Sequence, residues 1–463
     1  MKKYIGNKAF YRMVLTVVVP IIIQNFITNF VSMLDNIMVG RVGTEQMSGV
    51  AITNQLLFVF NICVFGAVSG AGIFTAQFFG SENQQGIRHT LRFKMISCVV
   101  ICLAGLLVFG FWGTDLISLY LHGEGVEGSL AATLTYAREY LWIMMCGLIP
   151  FAVVQAYAGT LRECGETVLP MKAGIAAVLV NLVFNYILIY GKFGAPELGV
   201  AGAAVATVLS RYVELLIVVI WTHRHTQRFP FVEGTYKSLF IPGQLVGKIF
   251  KTGTPLMLNE ALWAAGMAVM MQCYSMRGID VVAGMNISTT ISNLFNVVFI
   301  SLGNAIAIIL GQRLGAGKLE EARDHARKLI AFSIASCVAV GLLMAVIAPL
   351  FPMLYKTSAE VRQLATRLIW IAALCMPLYA CTNATYFTLR SGGKTVITFL
   401  FDSCFVWICS IPVAFVLSRY TQMPIILLYF CCQSLEVIKC IIGLIMVKKG
   451  IWIHNIVEKA EEA

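Results

Sequence analysis

Hydrophobic runs of about 20 residues recur along the whole chain, separated by short loops that carry most of the charge. A run of that length matches the hydrocarbon thickness of a bilayer. There the backbone must satisfy its own N–H and C=O groups, so each run is predicted to be a membrane-spanning α-helix. Twelve spans are expected, at 14–39, 47–76, 95–112, 139–159, 173–190, 200–221, 252–275, 283–310, 329–348, 367–388, 397–418 and 425–446. Only 12% of the 463 residues are charged, about half the share in a soluble chain.

The segment from Met1-Lys2-Lys3 to Arg12 is basic, and the run after it is long enough to span rather than to be cleaved as a signal. The net charge of +11 raises the question of nucleic acid. The basic residues lie in inter-helix loops rather than on one face, so they read as topology signals and no nucleic-acid partner is expected. They concentrate at Arg88 to Lys94, at Arg224, Arg228, Lys237, Lys248 and Lys251, and at Arg313 to Lys328. This asymmetry puts both termini in the cytoplasm of a multi-pass protein of the cell (inner) membrane, with the lipid bilayer as its surroundings. The outer loops are short or acidic, as with Asp115, Glu124 and Glu127. In the tail, Ile451, Trp452 and Ile456 are expected to rest on the membrane surface. The 14 cysteines are scattered without metal-ligand spacing and read as small buried hydrophobes.

The chain is also duplicated. Pro20 matches Pro255, Gly43 matches Gly278, Gly49 matches Gly284, Gln77 matches Gln312, Gly80 matches Gly315, and Arg88 and Arg92 match Arg323 and Arg327, all at one constant spacing. At a second, slightly shorter spacing, Leu161-Arg162-x-x-Gly165-x-Thr167 matches Leu389-Arg390-x-x-Gly393-x-Thr395. Six spans plus six, starting from the same side, form a parallel repeat with a pseudo-twofold axis along the membrane normal, the construction of a transporter rather than of an enzyme. The expected organisation is an N-lobe at 1–221, an inter-lobe cytoplasmic loop at 222–251, a C-lobe at 252–447 and a tail at 448–463.

These segments resemble the multidrug and toxic compound extrusion (MATE) family. The resemblance is carried by Pro20 through Asp35-Asn-Ile-Met-Val-Gly40-Arg-Val-Gly43, by Gln77-Phe-Phe-Gly80, and by Leu161-Arg162-Glu-Cys-Gly165-Glu-Thr167. It extends to Asn181-x-x-x-Asn185, Gly199 to Thr207, and Asn259-Glu260. It implies an all-α fold of twelve transmembrane helices in two pseudo-twofold-related six-helix bundles forming a V. It also implies antiport of drugs or organic cations against H+ or Na+, no other cofactor, and a functional monomer. A lipid-linked oligosaccharide flippase of the same superfamily is the alternative, although the chain lacks the extra spans or Arg-rich cavity such carriers often have.

Read from the residues, Asp35 is a carboxylate inside the first span, where an ionised group costs roughly 2.5–3.5 kcal/mol on the insertion scale and so implies a function. Gln24, Thr28 and Asp35 share a face of that helix, and Asn181 and Asn185 share a face of the fifth span. At 1.5 Å per residue, Asp35, Asn185 and Thr207 of the sixth span lie at a similar depth, roughly 7–10 Å from one end of their helices. A carboxylate, amides and a hydroxyl suit either an exchangeable proton or a hard cation such as Na+ at Asp35, Asn181, Asn185 and Thr207. The family's matching cluster usually has a second Asp at the position of Asn185. The Asn here lowers the local charge and tilts the expectation towards H+.

Glu260, beside Asn259 in the seventh span, is the second acid assigned to cation coupling or to a cationic substrate. Arg211 with Glu214, and Glu436 with Lys439, are expected to neutralise each other one turn apart. Gln24, Asn25, Thr28, Asn54, Gln155, Asn286, Asn293, Asn383 and Tyr386 are expected to anchor substrate. They would do so in a deformable apolar cavity supplied by the 20 Met and 29 Phe.

Overall fold

The computed structural model describes residues 4–121 and 127–457. Met1 to Lys3, Glu124 and the last part of the tail, 458–463, lie outside the described residues, as does the side chain of Glu127. Among the described residues every regular element is helical. The first half holds α1 (Lys8–Gly40), α2 (Thr44–Gly80), α3 (Gln84–Ser118), α4 (Glu127–Met145), α5 (Leu148–Glu163), α6 (Val168–Tyr190) and α7 (Gly199–Arg224). The second holds α8 (Gly243–Ser275), α9 (Ile279–Gly315), α10 (Leu319–Ile347), α11 (Ala359–Ser391), α12 (Thr395–Tyr420) and α13 (Ile425–Lys449).

Ten of these helices are long and apolar enough to cross a membrane, and the chain is a multi-pass membrane protein. The fourth predicted span is a pair, α4 and α5, bent by 49° at the break between them. The seventh lies in α8, a 33-residue helix whose Lys248, Lys251, Asn259 and Glu260 leave it less apolar than the ten. Two helix starts carry side-chain caps: Asn83 accepts from Gly86 N–H at 2.7 Å and Ser358 accepts from Val361 N–H at 3.2 Å.

The chain forms two compact units, one of Ile23–Thr75 with Asn83–Phe250, the other of Met1–Ile22 with Ala76–Glu82 and Lys251–Ala463. The first, the N-lobe unit, takes in most of the inter-lobe loop for a simple reason. Arg92 on α3 donates to the carbonyls of Thr235, Gly234 and Phe240, and Arg88 donates to those of Phe231 and Pro230. The core of this unit packs α2, α3, α4 and α5 through Leu56, Val64, Cys98, Leu141 and Ala152. Lys94 is not the loop charge its position implied. It is fully buried, paired with Glu163 and hydrogen-bonded to Thr160 at 3.0 Å.

The second unit is built around α9, α10 and α11, against which the start of α1 packs Phe10, Val14, Val18 and Ile21. In it the repeat-equivalent ends of α2 and α9 meet reciprocally. A Cβ on Gly80 would stand 2.0 Å from the carbonyl oxygen of Gln312, and one on Gly315 would stand 1.9 Å from that of Gln77. Only glycine permits that backbone-to-backbone approach. The tail also differs from expectation. Trp452 is fully buried in the same core, and Gln77 accepts from Ile456 N–H at 2.9 Å, so residues 450–457 fold onto the protein instead of resting on lipid.

Helix α12 contains two π-helical stretches, Leu400–Cys404 and Val406–Ser410, followed by Pro412. Wide turns of this kind disturb the regular helical phase and often accompany functional positions. Here the first stretch carries Asp402.

Candidate cation and substrate site

The N-lobe unit brings four of the sequence-predicted residues together. Asn185 on α6 donates from Nδ2 to Asp35 Oδ1 on α1 at 2.7 Å and to Asn181 Oδ1 at 3.2 Å. Asn181 Nδ2 donates to Thr207 Oγ1 on α7 at 3.2 Å, and Thr207 donates in turn to the carbonyl of Ala203 at 3.0 Å. The near end of the Asn181 amide stands 2.9 Å from Asp35 Oδ2 and 3.1 Å from Oδ1. The helical spacing explains the convergence: Asn181 and Asn185 are one turn apart on α6, as are Ala203 and Thr207 on α7.

Which end of the Asn181 amide faces Asp35 follows from the charge on the acid. With Asp35 protonated, its hydroxyl would donate to Asn181 Oδ1 while Asn181 Nδ2 donates to Thr207. With Asp35 ionised, the reversed amide would donate from Nδ2 to the carboxylate and accept from Thr207 at 3.2 Å. The reversal places the two amide nitrogens of Asn181 and Asn185 3.2 Å apart. It also takes the Thr207 hydroxyl proton from Ala203, since a hydroxyl has one proton to give.

The cluster forms one wall of a cavity of about 410 Å³, within the range of small-molecule sites. Of the predicted anchors, Thr28 and Asn54 line it, and so does Asn61. Its apolar walls include Phe58, Met144 and Phe151. Gln24 is held elsewhere, accepting from Arg162 Nη2 at 2.9 Å and packing beside Gly174. Asn25 and Gln155 are partly buried and are not in the cavity wall.

Sequence reasoning set Arg211 and Glu214 aside as a structural pair. They are paired, Nη1 to Oε2 at 3.1 Å, and both also line the cavity. The signal was available: Arg211 lies one turn beyond Thr207 on the same face of α7.

The second unit holds the remaining predicted residues. Glu260 on α8 is half-buried and makes no hydrogen bond or ion pair among the described residues. Its neighbour Asn259 donates to Asp402 Oδ2 at 3.1 Å and to Tyr386 Oη at 3.4 Å, and accepts from Ser403 Oγ at 2.8 Å. Lys439 is closer to Asp402, at 2.8 Å, than to its expected partner Glu436, at 3.6 Å. Asp402 is the acid that sequence reasoning passed over. It lies in the π-helical part of α12, where regular helical spacing does not predict which face a residue takes. Asn383 packs against Gly303, and Asn286 and Asn293 are exposed on α9.

Paired apolar helix bundles of duplicated sequence, with a cavity walled by a half-buried acid, define a polytopic carrier. The sequence profile of the MatE family matches residues 20–187 and 255–416, one stretch in each half, and the chain belongs to that family. It is 25% identical over 411 residues to the probable multidrug resistance protein NorM of Thermotoga maritima, covering 88% of this chain and 85% of that one. It is 27% identical over 429 residues to the multidrug resistance protein MdtK of Yersinia pseudotuberculosis, covering 90% and 89%. Among solved structures, its fold is similar to an outward-facing multidrug resistance MATE family transporter of the MOP superfamily. That comparison gives a TM-score of 0.85, 18% identity, and coverage of 97% and 98%. A MATE protein in a straight conformation gives a TM-score of 0.84, 19% identity, and 97% coverage of each chain.

Proposed function

We propose that the chain is a secondary active exporter of cationic lipophilic drugs, driven by inward movement of H+ bound at Asp35, with both termini in the cytoplasm and the monomer as the transport unit. The observation that carries this reading is the hydrogen-bond chain from Asp35 to Ala203. The chain joins one carboxylate on α1 to α6 and α7, so a change of charge at Asp35 acts on all three helices. An ionised Asp35 holds the cationic end of a drug in the cavity. A proton arriving from outside cancels that charge, lowers drug affinity and resets the three helices together. Such a mechanism needs only that proton and drug compete for one charge, so that each is bound in the other's absence.

The four residues also offer oxygens to Na+, but with a single carboxylate among them. That single carboxylate among neutral amide and hydroxyl groups favours H+. The test is uptake of ethidium by inside-out vesicles under separately imposed gradients. An acid lumen is expected to drive accumulation, roughly tenfold per pH unit for exchange of one proton against one monovalent cation. Uptake that follows a Na+ gradient at clamped pH and ignores the pH gradient would sink the proton reading.

A further inference from the structure

Arg211 has more donors than its partner uses. A guanidinium carries five N–H groups in a fixed fork. Among the described residues, Arg211 spends Nη1 on Glu214 and lays its plane 5.4 Å from the centre of the Phe151 ring. Its side chain remains 36% exposed while that of Glu214 is 8% exposed, and both line the cavity.

Glu214 is its ion-pair partner among the described residues, and the neighbouring acid Glu163 is paired with Lys94. Asp35 and the buried Tyr140 line the same cavity. Its wall therefore carries a carboxylate and a guanidinium together.

Building on the export reading above, we propose that Arg211 is an anion anchor and that the cavity selects compounds carrying a carboxylate as well as an amine. The amine is held at Asp35 and the carboxylate at the free edge of the Arg211 fork. The apolar body lies against Phe151, Phe58 and Met144. A planar fork favours a carboxylate because two parallel N–H···O bonds form at once. Proton entry at Asp35 then releases only one end, and the ligand leaves when Glu214 reclaims the guanidinium.

The experiment uses the purified full chain and two probes, 6-(aminomethyl)-2-naphthoic acid and its methyl ester, whose own fluorescence reports binding. The Arg211→Gln variant is expected to lose affinity for the acid by about tenfold or more, the loss of a charge-assisted pair, and not for the ester. Arg211→Lys should keep part of the preference. If Arg211→Gln does not fold, the double variant Arg211→Gln with Glu214→Gln leaves a neutral hydrogen-bonding pair and gives the same readout. Equal losses for both probes, or no loss for either, overturn the anchor. Wild-type protein that binds the ester and rejects the acid also overturns it and leaves the export reading standing. Asp35→Asn should weaken both probes. If wild type binds neither, both readings fall together.

Discussion

Asn185 donates to Asp35 at 2.7 Å, an amide standing across from the acid where the family resemblance leads one to expect a second carboxylate. One negative charge, rather than two, therefore governs the N-lobe cluster. Its consequence is direct: Asp35→Asn should insert and fold, since an amide replaces the protonated acid in shape and in hydrogen bonding. It should nevertheless abolish drug export in cells. Drug resistance unchanged from wild type would contradict the role given to Asp35.

Thr207 joins that cluster to α7, accepting from Asn181 and donating to the carbonyl of Ala203. Thr207→Val keeps the volume and removes the acceptor of Asn181 Nδ2, leaving a buried donor unsatisfied at a cost of about 1–3 kcal/mol. Export is expected to fall with modest loss of thermal stability, and Thr207→Ser should restore both. Equal export by the Val and Ser variants would show that the hydroxyl carries no coupling.

Lys439 is almost fully buried between Asp402 and Glu436. Lys439→Met leaves Asp402 without its cation and should destabilise the protein by about 3–5 kcal/mol. Adding Asp402→Asn should recover much of that loss, read as the melting midpoint in detergent. Additive losses in the double variant would mean that the two residues are not coupled.

Gly80 and Gly315 each face a backbone carbonyl across the reciprocal contact. Gly80→Ala and Gly315→Ala should each cost about 1–3 kcal/mol by overpacking, and by similar amounts because the two environments are repeats of one another. The comparison is again a pair of melting curves. A neutral Gly80→Ala beside a damaging Gly315→Ala would show that the two repeats have lost their equivalence at this point.

The helical class, the duplication and the N-lobe cluster were legible because each leaves a periodic trace. Apolar runs have the length of a bilayer, repeated Gly, Pro and Arg keep one spacing, and Asn181 with Asn185 keep a helical turn. Lys94 and Trp452 misled because both were assigned by their place in the chain. Each is buried by a tertiary partner, Glu163 for the lysine and the second-unit core for the tryptophan, which no local pattern announces. Arg211 was read as half of a neutral pair. That pairing is real, but one hydrogen bond does not exhaust a guanidinium, and only the cavity reveals where the rest of it faces.

The π-helical stretches of α12 have a consequence for what this chain tolerates over time. A π turn is in effect an α-helix that has accepted an extra residue. Removing one residue from Leu400–Cys404 would return that stretch to regular α-helix and shift the residues inside it by up to one position, about 100°, relative to its flanks. Asp402 and Ser403 would then fall out of phase with Asn259 and Lys439, although no charge had been altered. In α12 the residue count is thus part of the chemistry. A one-residue deletion there acts on buried charges, whereas the same deletion in a surface loop only shortens a connection.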